Sequence, residues 1–326
     1  MKLSRRRLLN LAASAVALPA LARAARGQVW PSRVVRLLVG FPPGGGADAA
    51  SRIVANRLSE IWGQSVIVEN RSGAGGNISL DATAKATPDG YTMALVTVAP
   101  PIYRFLLGSL GYDPLTDLAP VSLLGKYPTI LTVSNASPIT SVREYIANAK
   151  ANPGKVTFAT PGVGTTGHLS AELFKRMAGI DITHVPYRGV AAGAMTDLIT
   201  GRVDSMFNTT GSLLQAVRTG QIRGLGVTSG QPFENAPELP TIAAAVPGYE
   251  AMWWYGLFVP GKTPDPIVQK VHADVVAMLG DSSVKAKFEP LGLAIASSTP
   301  AELAARVRAD AELWGPIIKA ANIRGE

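Results

Sequence analysis

Apolar residues dominate positions 34–41 (VVRLLVGF), and the run stops at Pro42-Pro43-Gly44-Gly45-Gly46. That pattern reads as a buried strand entering a tight loop. From Ala49 to Trp62 the apolar positions Ile53, Val54, Leu58 and Ile61 change to helical spacing, and residues 65–69 (SVIVE) read as the next strand. A helix over 80–86, a turn at Pro88-Asp89-Gly90 and a strand over 91–98 continue the alternation. Strands separated by helical segments predict a mainly parallel sheet covered by helices.

The same order returns roughly 120 residues later. Residues 155–160 (KVTFAT) read as a strand, 161–167 as a glycine-rich loop and 170–177 as a helix with Leu173 and Phe174 on its apolar face. A strand at 182–186 (ITHVP), a helix at 191–199 and a strand at 203–208 complete a second unit. Between the units, strands at 119–124 and 129–134 flank Gly125-Lys126-Tyr127-Pro128, a first crossing. Strands at 222–229 and 255–259 frame a proline-bearing stretch that makes the return. Two crossings between two lobes imply a hinge, and the helices expected at 266–279 and 300–321 pack back onto the first lobe.

Composition narrows the chemistry. The 326 residues suffice for two domains, and 47% hydrophobic with 17% charged residues describe a compact chain. There is no cysteine, which excludes disulfides, thiolate metal sites and cysteine nucleophiles. Glycine (33) and proline (24) exceed their usual shares, so short elements joined by loops of defined shape are expected.

The net charge of +8 resembles a nucleic-acid signature until the charges are located. Lys2, Arg5, Arg6, Arg7 and Arg23 precede any acid, and without them 26 basic against 23 acidic residues leave +3. A nucleic-acid partner is not supported. Those first 24 residues have a basic start, an apolar stretch over 8–21 and Ala22 and Ala24 in an A-x-A arrangement, the order of a cleaved signal peptide. Ser4-Arg5-Arg6-Arg7-Leu8-Leu9 also resembles a twin-arginine signal, although Asn10 stands where a lysine is frequent. Either route leads out of a bacterial cytoplasm.

Two glycine loops carry the candidate chemistry. Gly44-Gly45-Gly46-Ala47-Asp48 lies where a strand hands over to a helix, so backbone N–H groups converge there on an anion. Asp48 reads either as the N-cap of that helix or as a ligand contact. Gly162-Val163-Gly164-Thr165-Thr166-Gly167 matches G-x-G-x-x-G, which admits an exported dinucleotide-dependent oxidoreductase as the alternative. The segment after the next strand, however, offers Tyr187-Arg188 in place of an acidic ribose clamp, an arginine that would suit NADP. Catalytic candidates are sparse: His168 sits beside the second loop, His184 within a strand and His272 on a helix, with no grouped nucleophile, base and orienter. Trp253-Trp254 at the return crossing reads as packing.

Several longer stretches go beyond these patterns: FPPGGGAD at 41–48, VENRSGAGGN at 68–77, AKATPDGYT at 84–92, YDPLTDLAPVSLL at 112–124 and AKANPG at 149–154. GVGTTGHL at 162–169, HVPYRG at 184–189, GRVD at 201–204 and WYGLFVPGKTP at 254–264 follow in the same order. Together they resemble the periplasmic solute receptors of tripartite tricarboxylate transporters, the Bug receptors, over nearly the whole chain after the leader. Ser79, where a glycine is frequent, and Ala243-Ala244-Ala245, where a glutamate usually follows the Pro-Thr, depart from that pattern.

The resemblance implies an α/β periplasmic binding protein of the Venus-flytrap, type II-like kind, each lobe a mainly parallel sheet flanked by helices. The lobes would be 25–125 with 255–326, and 126–254, after a signal peptide at 1–24. It further implies a monomeric, non-enzymatic receptor, without cofactor or metal, that closes on a small carboxylate and delivers it to membrane permease subunits. Carried over residue by residue, Phe41, Gly45, Gly46, Asp48, Asn77 and Thr97 would line the first-lobe side of the cleft. Gly164, Thr165, Thr166, His168 and Asp204 would line the second. In such receptors backbone N–H groups and bridging waters hold the carboxylate, so the Gly164 N–H is expected to matter more than the cations of Lys126 and Arg188.

Overall fold

A computed structural model describes residues 30–188 and 193–325. The expectations for the leader, for Gly189 and for the start of the helix expected from 191 lie outside the described residues.

In the first half β1 (Val35–Val39) lies between β2 (Val66–Asn70) and β3 (Thr92–Val96), all parallel. Helix α1 (Gly46–Trp62) and α2 (Asn77–Ala84) connect them, and α3 (Ile102–Leu107) follows β3. In the second half β5 (Thr157–Thr160) lies between β6 (Thr183–Pro186) and β7 (Ser205–Thr209), again parallel. Its helices are α4 (Val142–Ala151), α5 (Thr166–Ala178), α6 (Met195–Ile199) and α7 (Thr210–Arg218). The apolar runs become strands because their side chains are buried on both faces, as at Leu37, Leu38 and Val39.

The halves are joined by long strands running antiparallel to their neighbours. β4 (Leu118–Val133) is continuous, about 50 Å long at an ordinary strand rise. Its first part pairs with β9 (Met252–Pro260), from Leu118 opposite Pro260 to Pro128 opposite Met252. Its last five residues pair with β7 and with β8 (Arg223–Val227).

The sequence pattern predicted two strands broken at 125–128. The ladder instead runs on through these residues in register, from Gly125 opposite Tyr255 to Pro128 opposite Met252, and its register shifts lie earlier, between Pro120 and Ser122 and between Leu123 and Gly125. Pro128 falls where β4 changes partners. β9 likewise begins before Tyr255, because the Trp253 and Trp254 side chains are both buried and can sit within the ladder.

The C-terminal helices α8 (Asp265–Gly280), α9 (Ser282–Phe288) and α10 (Pro300–Ala320) return to the first half, α8 and α10 packing on β4 and α10 on α3. A short strand, β10 (Ala294–Ile295), pairs with β4. α10 opens with a capping box, Thr299 and Glu302 satisfying each other's backbone amides. The tryptophan pair ties these parts together. Trp254 Nε1 donates to the buried Asp310 at 2.6 Å, Trp253 Nε1 donates to Ser170 Oγ of α5 at 2.8 Å, and the Trp253 ring stacks on Trp314 at 4.7 Å. They are structural, as the pattern suggested.

The carboxyl ends of both parallel strand sets face one cleft, the place where open α/β sheets present loops and helix N-termini. No helix among the described residues is long and apolar enough to cross a membrane.

Candidate functional site

Three helices begin at this cleft. α1 starts after Gly45, α5 after Thr165 and α7 after Thr209, and no side chain of these N-cap residues bonds the first-turn amides. Their N–H groups and positive dipole ends therefore favour a negative charge. They converge on a cavity of about 40 Å³ lined by Phe41, Gly45, Gly46, Ala47, Thr97, Thr165, Thr166, Thr209 and Ser212. Tyr127 of β4, Tyr255 of β9 and Asn208 of β7 complete its wall. Among the described residues, no charged side chain lines it. A space of this size admits a carboxylate head.

The rings of Tyr127 and Tyr255 pack at a tilt of 37° with their centroids 4.4 Å apart, and their hydroxyls face Thr166 and Thr209. Among the described residues neither hydroxyl forms a hydrogen bond, and Asn208 Nδ2 has no partner either. Burial pushes both phenols above their ordinary pKa, so each stays neutral and has a proton to donate. Outside the cavity, Phe41, Pro42 and Pro161 form a neck shared with a wider vestibule of about 430 Å³ that includes Ser72, Gly75, Tyr187 and Arg188.

Of the residues expected at the site, Phe41, Gly45, Gly46, Thr97, Thr165 and Thr166 line the cavity. The others do not, and each has a physical reason. Asp48 is not the N-cap, which is Gly45; it sits in the first turn and reaches back to hold the loop. Its carboxylate accepts from Gly44 N–H at 3.0 Å, from Arg52 Nε and Nη2 at 2.9 Å each and from Asn70 Nδ2 at 2.9 Å. Burial raises its pKa, but these hydrogen bonds outweigh it and hold the carboxyl below its usual value. Asn77 opens α2 and its Oδ1 accepts from Tyr112 Oη at 2.7 Å.

Gly164 and His168 form a pair of their own. The Gly164 N–H, expected to meet the ligand, donates to His168 Nδ1 at 3.0 Å. Gly164 has φ +73°, and an added Cβ would lie 2.4 Å from Leu106 of the first half, so only glycine fits there. The ring that secures this loop stacks on His184 at 3.9 Å, and His184 Nε2 lies 2.6 Å from Thr160 Oγ1. Lys126 is exposed on β4, outside the cavity.

Asp204 stands immediately before β7, at the opposite end of that strand from Asn208 and Thr209. Its Oδ2 accepts from the Thr157 N–H and hydroxyl, each at 2.7 Å, and so fixes the start of β5 against β7. Asp204→Ala is expected to lower unfolding free energy by about 1–2 kcal/mol and leave ligand affinity within about twofold. Paired urea melts and calorimetry check this; a large affinity loss without a stability loss would put Asp204 back in the cleft.

The sequence pattern does not single out the tyrosines, Asn208, Thr209 and Ser212, because Tyr127 reads as part of the crossing segment at 125–128 and Tyr255 as a member of an apolar strand. The available signal was that a tyrosine in a strand buried on both faces brings a hydroxyl needing a partner. Asn208 and Thr209 sit at a strand's carboxyl end, before a helix, as the glycine loops do.

Residues 50–323 match the family model described as tripartite tricarboxylate transporter family receptor. The chain belongs to this receptor family. Among solved structures, the receptor resembles R. palustris Rpa4515 with adipate at 38% identity and a TM-score of 0.85, covering 90% of this chain and 99% of that one. The periplasmic binding protein BugD matches at 30% identity and TM-score 0.84, with 90% and 99% covered. MatC (Rpa3494) from Rhodopseudomonas palustris with bound malate matches at 29% identity and TM-score 0.81, with 89% and 100% covered. The receptor thus shares the two-lobed α/β fold of periplasmic binding proteins, and its cavity lies where its two halves meet.

Proposed function

We propose that this receptor captures a small organic acid in the periplasm and hands it, enclosed between its lobes, to the membrane permease subunits of a tripartite tricarboxylate transporter. The convergence of three helix N-termini, none capped by its own N-cap side chain, on a cavity that no charged side chain among the described residues lines carries the reading, because such a site stabilises a carboxylate without a salt bridge. Adipate in Rpa4515 and malate in MatC support a dicarboxylate, and BugD supports the compartment. The lobes are residues 25–125 with 255–326 and residues 126–254, with β4 and β9 as the hinge of a Venus-flytrap closure. The leader at 1–24 directs export, and the receptor acts as a monomer without cofactor or catalysis.

Calorimetry with adipate and malate, paired with small-angle scattering, tests the reading. A micromolar affinity, ~8 kcal/mol, for at least one acid and a contraction of the particle on binding are expected. Binding of a nucleotide but of no acid, or saturation by an acid with an unchanged scattering profile, would overturn capture or closure respectively.

A further inference from the structure

The two hinge strands cross the cleft carrying aromatic residues that the packing of the hinge alone does not explain. Tyr127 is 1% and Tyr255 2% exposed, yet both hydroxyls lack a hydrogen bond among the described residues. Asn208, at 2% exposure, leaves its Nδ2 unpaired on the same cavity. A buried polar group without a partner is costly, and native interiors seldom tolerate one, let alone three facing the same space. All three have a proton to offer.

We propose that Tyr127 Oη, Tyr255 Oη and Asn208 Nδ2 are the side-chain donors that recognise the leading carboxylate of the ligand, and that they set its selectivity for an ionised acid over the corresponding amide. This rests on the reading of the receptor as a carboxylate-binding protein and deepens it. A carboxylate is acceptor-only, with sites for about four hydrogen bonds, and matches a wall made of donors. A carboxamide presents its own N–H₂ to that wall and leaves one donor facing another. Tyr127 and Tyr255 belong to the strands that join the lobes, whereas Asn208 belongs to the second half. Bonding one head group to all three therefore links ligand recognition to the hinge itself.

The phenylalanine variants separate this role from a structural one. Phenylalanine keeps the ring that packs at 4.4 Å against its neighbour and removes only the hydroxyl. Without ligand, Tyr127→Phe and Tyr255→Phe are expected to melt at or above the wild-type temperature, because each deletes an unsatisfied buried group. With adipate as the probe, or malate if the wild type prefers it, each variant should bind roughly tenfold more weakly. Asn208→Leu should behave alike. The wild type should bind the single-headed acid hexanoate more tightly than hexanamide, and Tyr127→Phe should narrow that preference.

The outcomes are distinct. If the wild type binds an acid and both phenylalanine variants bind it within twofold of wild type, the hydroxyls are not donors to the ligand and the inference is overturned while capture of an acid stands. If the variants lose ligand-free thermal stability in step with affinity, the hydroxyls serve the fold and the inference is again overturned. If the wild type binds no acid at all, the functional reading fails first, and the wild-type titration alone reveals it.

Discussion

Gly46→Val is expected to weaken ligand capture sharply while leaving a folded protein. Gly46 is the first residue of α1 and its φ is not left-handed, so a side chain is sterically acceptable to its own backbone. The obstacle lies across the cleft. A Cβ on Gly46 would stand 2.9 Å from Thr209 Oγ1, 3.0 Å from Tyr255 Oη and 3.1 Å from the Gly211 Cα. The Gly46 N–H also donates across the cleft to Ser212 Oγ at 3.1 Å. Even one methyl group is tight there, and valine adds two more, an overpacking cost of ~1–3 kcal/mol that separating the lobes relieves.

The variant should therefore rest with its lobes apart, lose roughly five- to a hundredfold in affinity, and melt within a few degrees of the wild type when ligand is absent. Calorimetry and a thermal melt of the same sample decide it. Wild-type affinity in Gly46→Val would show that the close approach of α1 to α7 is no part of the bound state.

A second large effect is acid sensitivity of the second lobe's loop. Burial, then the neighbouring His168 and Lys175, push His184 down to about 3. An unfolded histidine titrates near ~6.5, so the folded chain holds this proton more weakly than the unfolded chain does. The corresponding stability is complete above about pH 6.5 and is lost as the pH falls toward 3, by on the order of a few kcal/mol.

The loss reaches the site because His184 stacks on the His168 ring, whose Nδ1 accepts the Gly164 N–H and secures residues 162–165. Ligand affinity should weaken over the same range. His184→Gln removes the titration while keeping a polar group near Thr160, so its urea midpoint should fall less between pH 7 and pH 4.5 than that of the wild type. An equal fall in both proteins would assign the acid sensitivity to other groups.

Much of the architecture was legible before any coordinates, and the residues show why. The run at 34–41, the glycine loop after it and the helical spacing from Ala49 are local signals: each depends on residues adjacent along the chain, and the backbone obeys them. The repetition of that unit established two similar halves. The same local logic marked Gly45, Gly46, Thr165 and Thr166, because a glycine- or threonine-bearing turn before a helix exposes amides wherever the helix ends up.

The tertiary structure decided what local signals cannot carry. Asp48, Asn77, His168 and Asp204 are polar residues beside the right loops, but each is spent on a neighbour: Asp48 on Gly44, Arg52 and Asn70, Asn77 on Tyr112, His168 on Gly164 and Asp204 on Thr157. A side chain with its hydrogen bonds already made shapes a site without facing it. Tyr127 and Tyr255 show the converse. They lie far apart in sequence inside apolar strands, and only the pairing of β4 with β9 brings their unpaired hydroxyls to one cavity. Sequence alone determined the elements and the loops that end them, since those follow from short-range periodicity and backbone chemistry. Which polar groups remain free for a ligand depended on contacts between distant segments, and these exist only once the chain has folded.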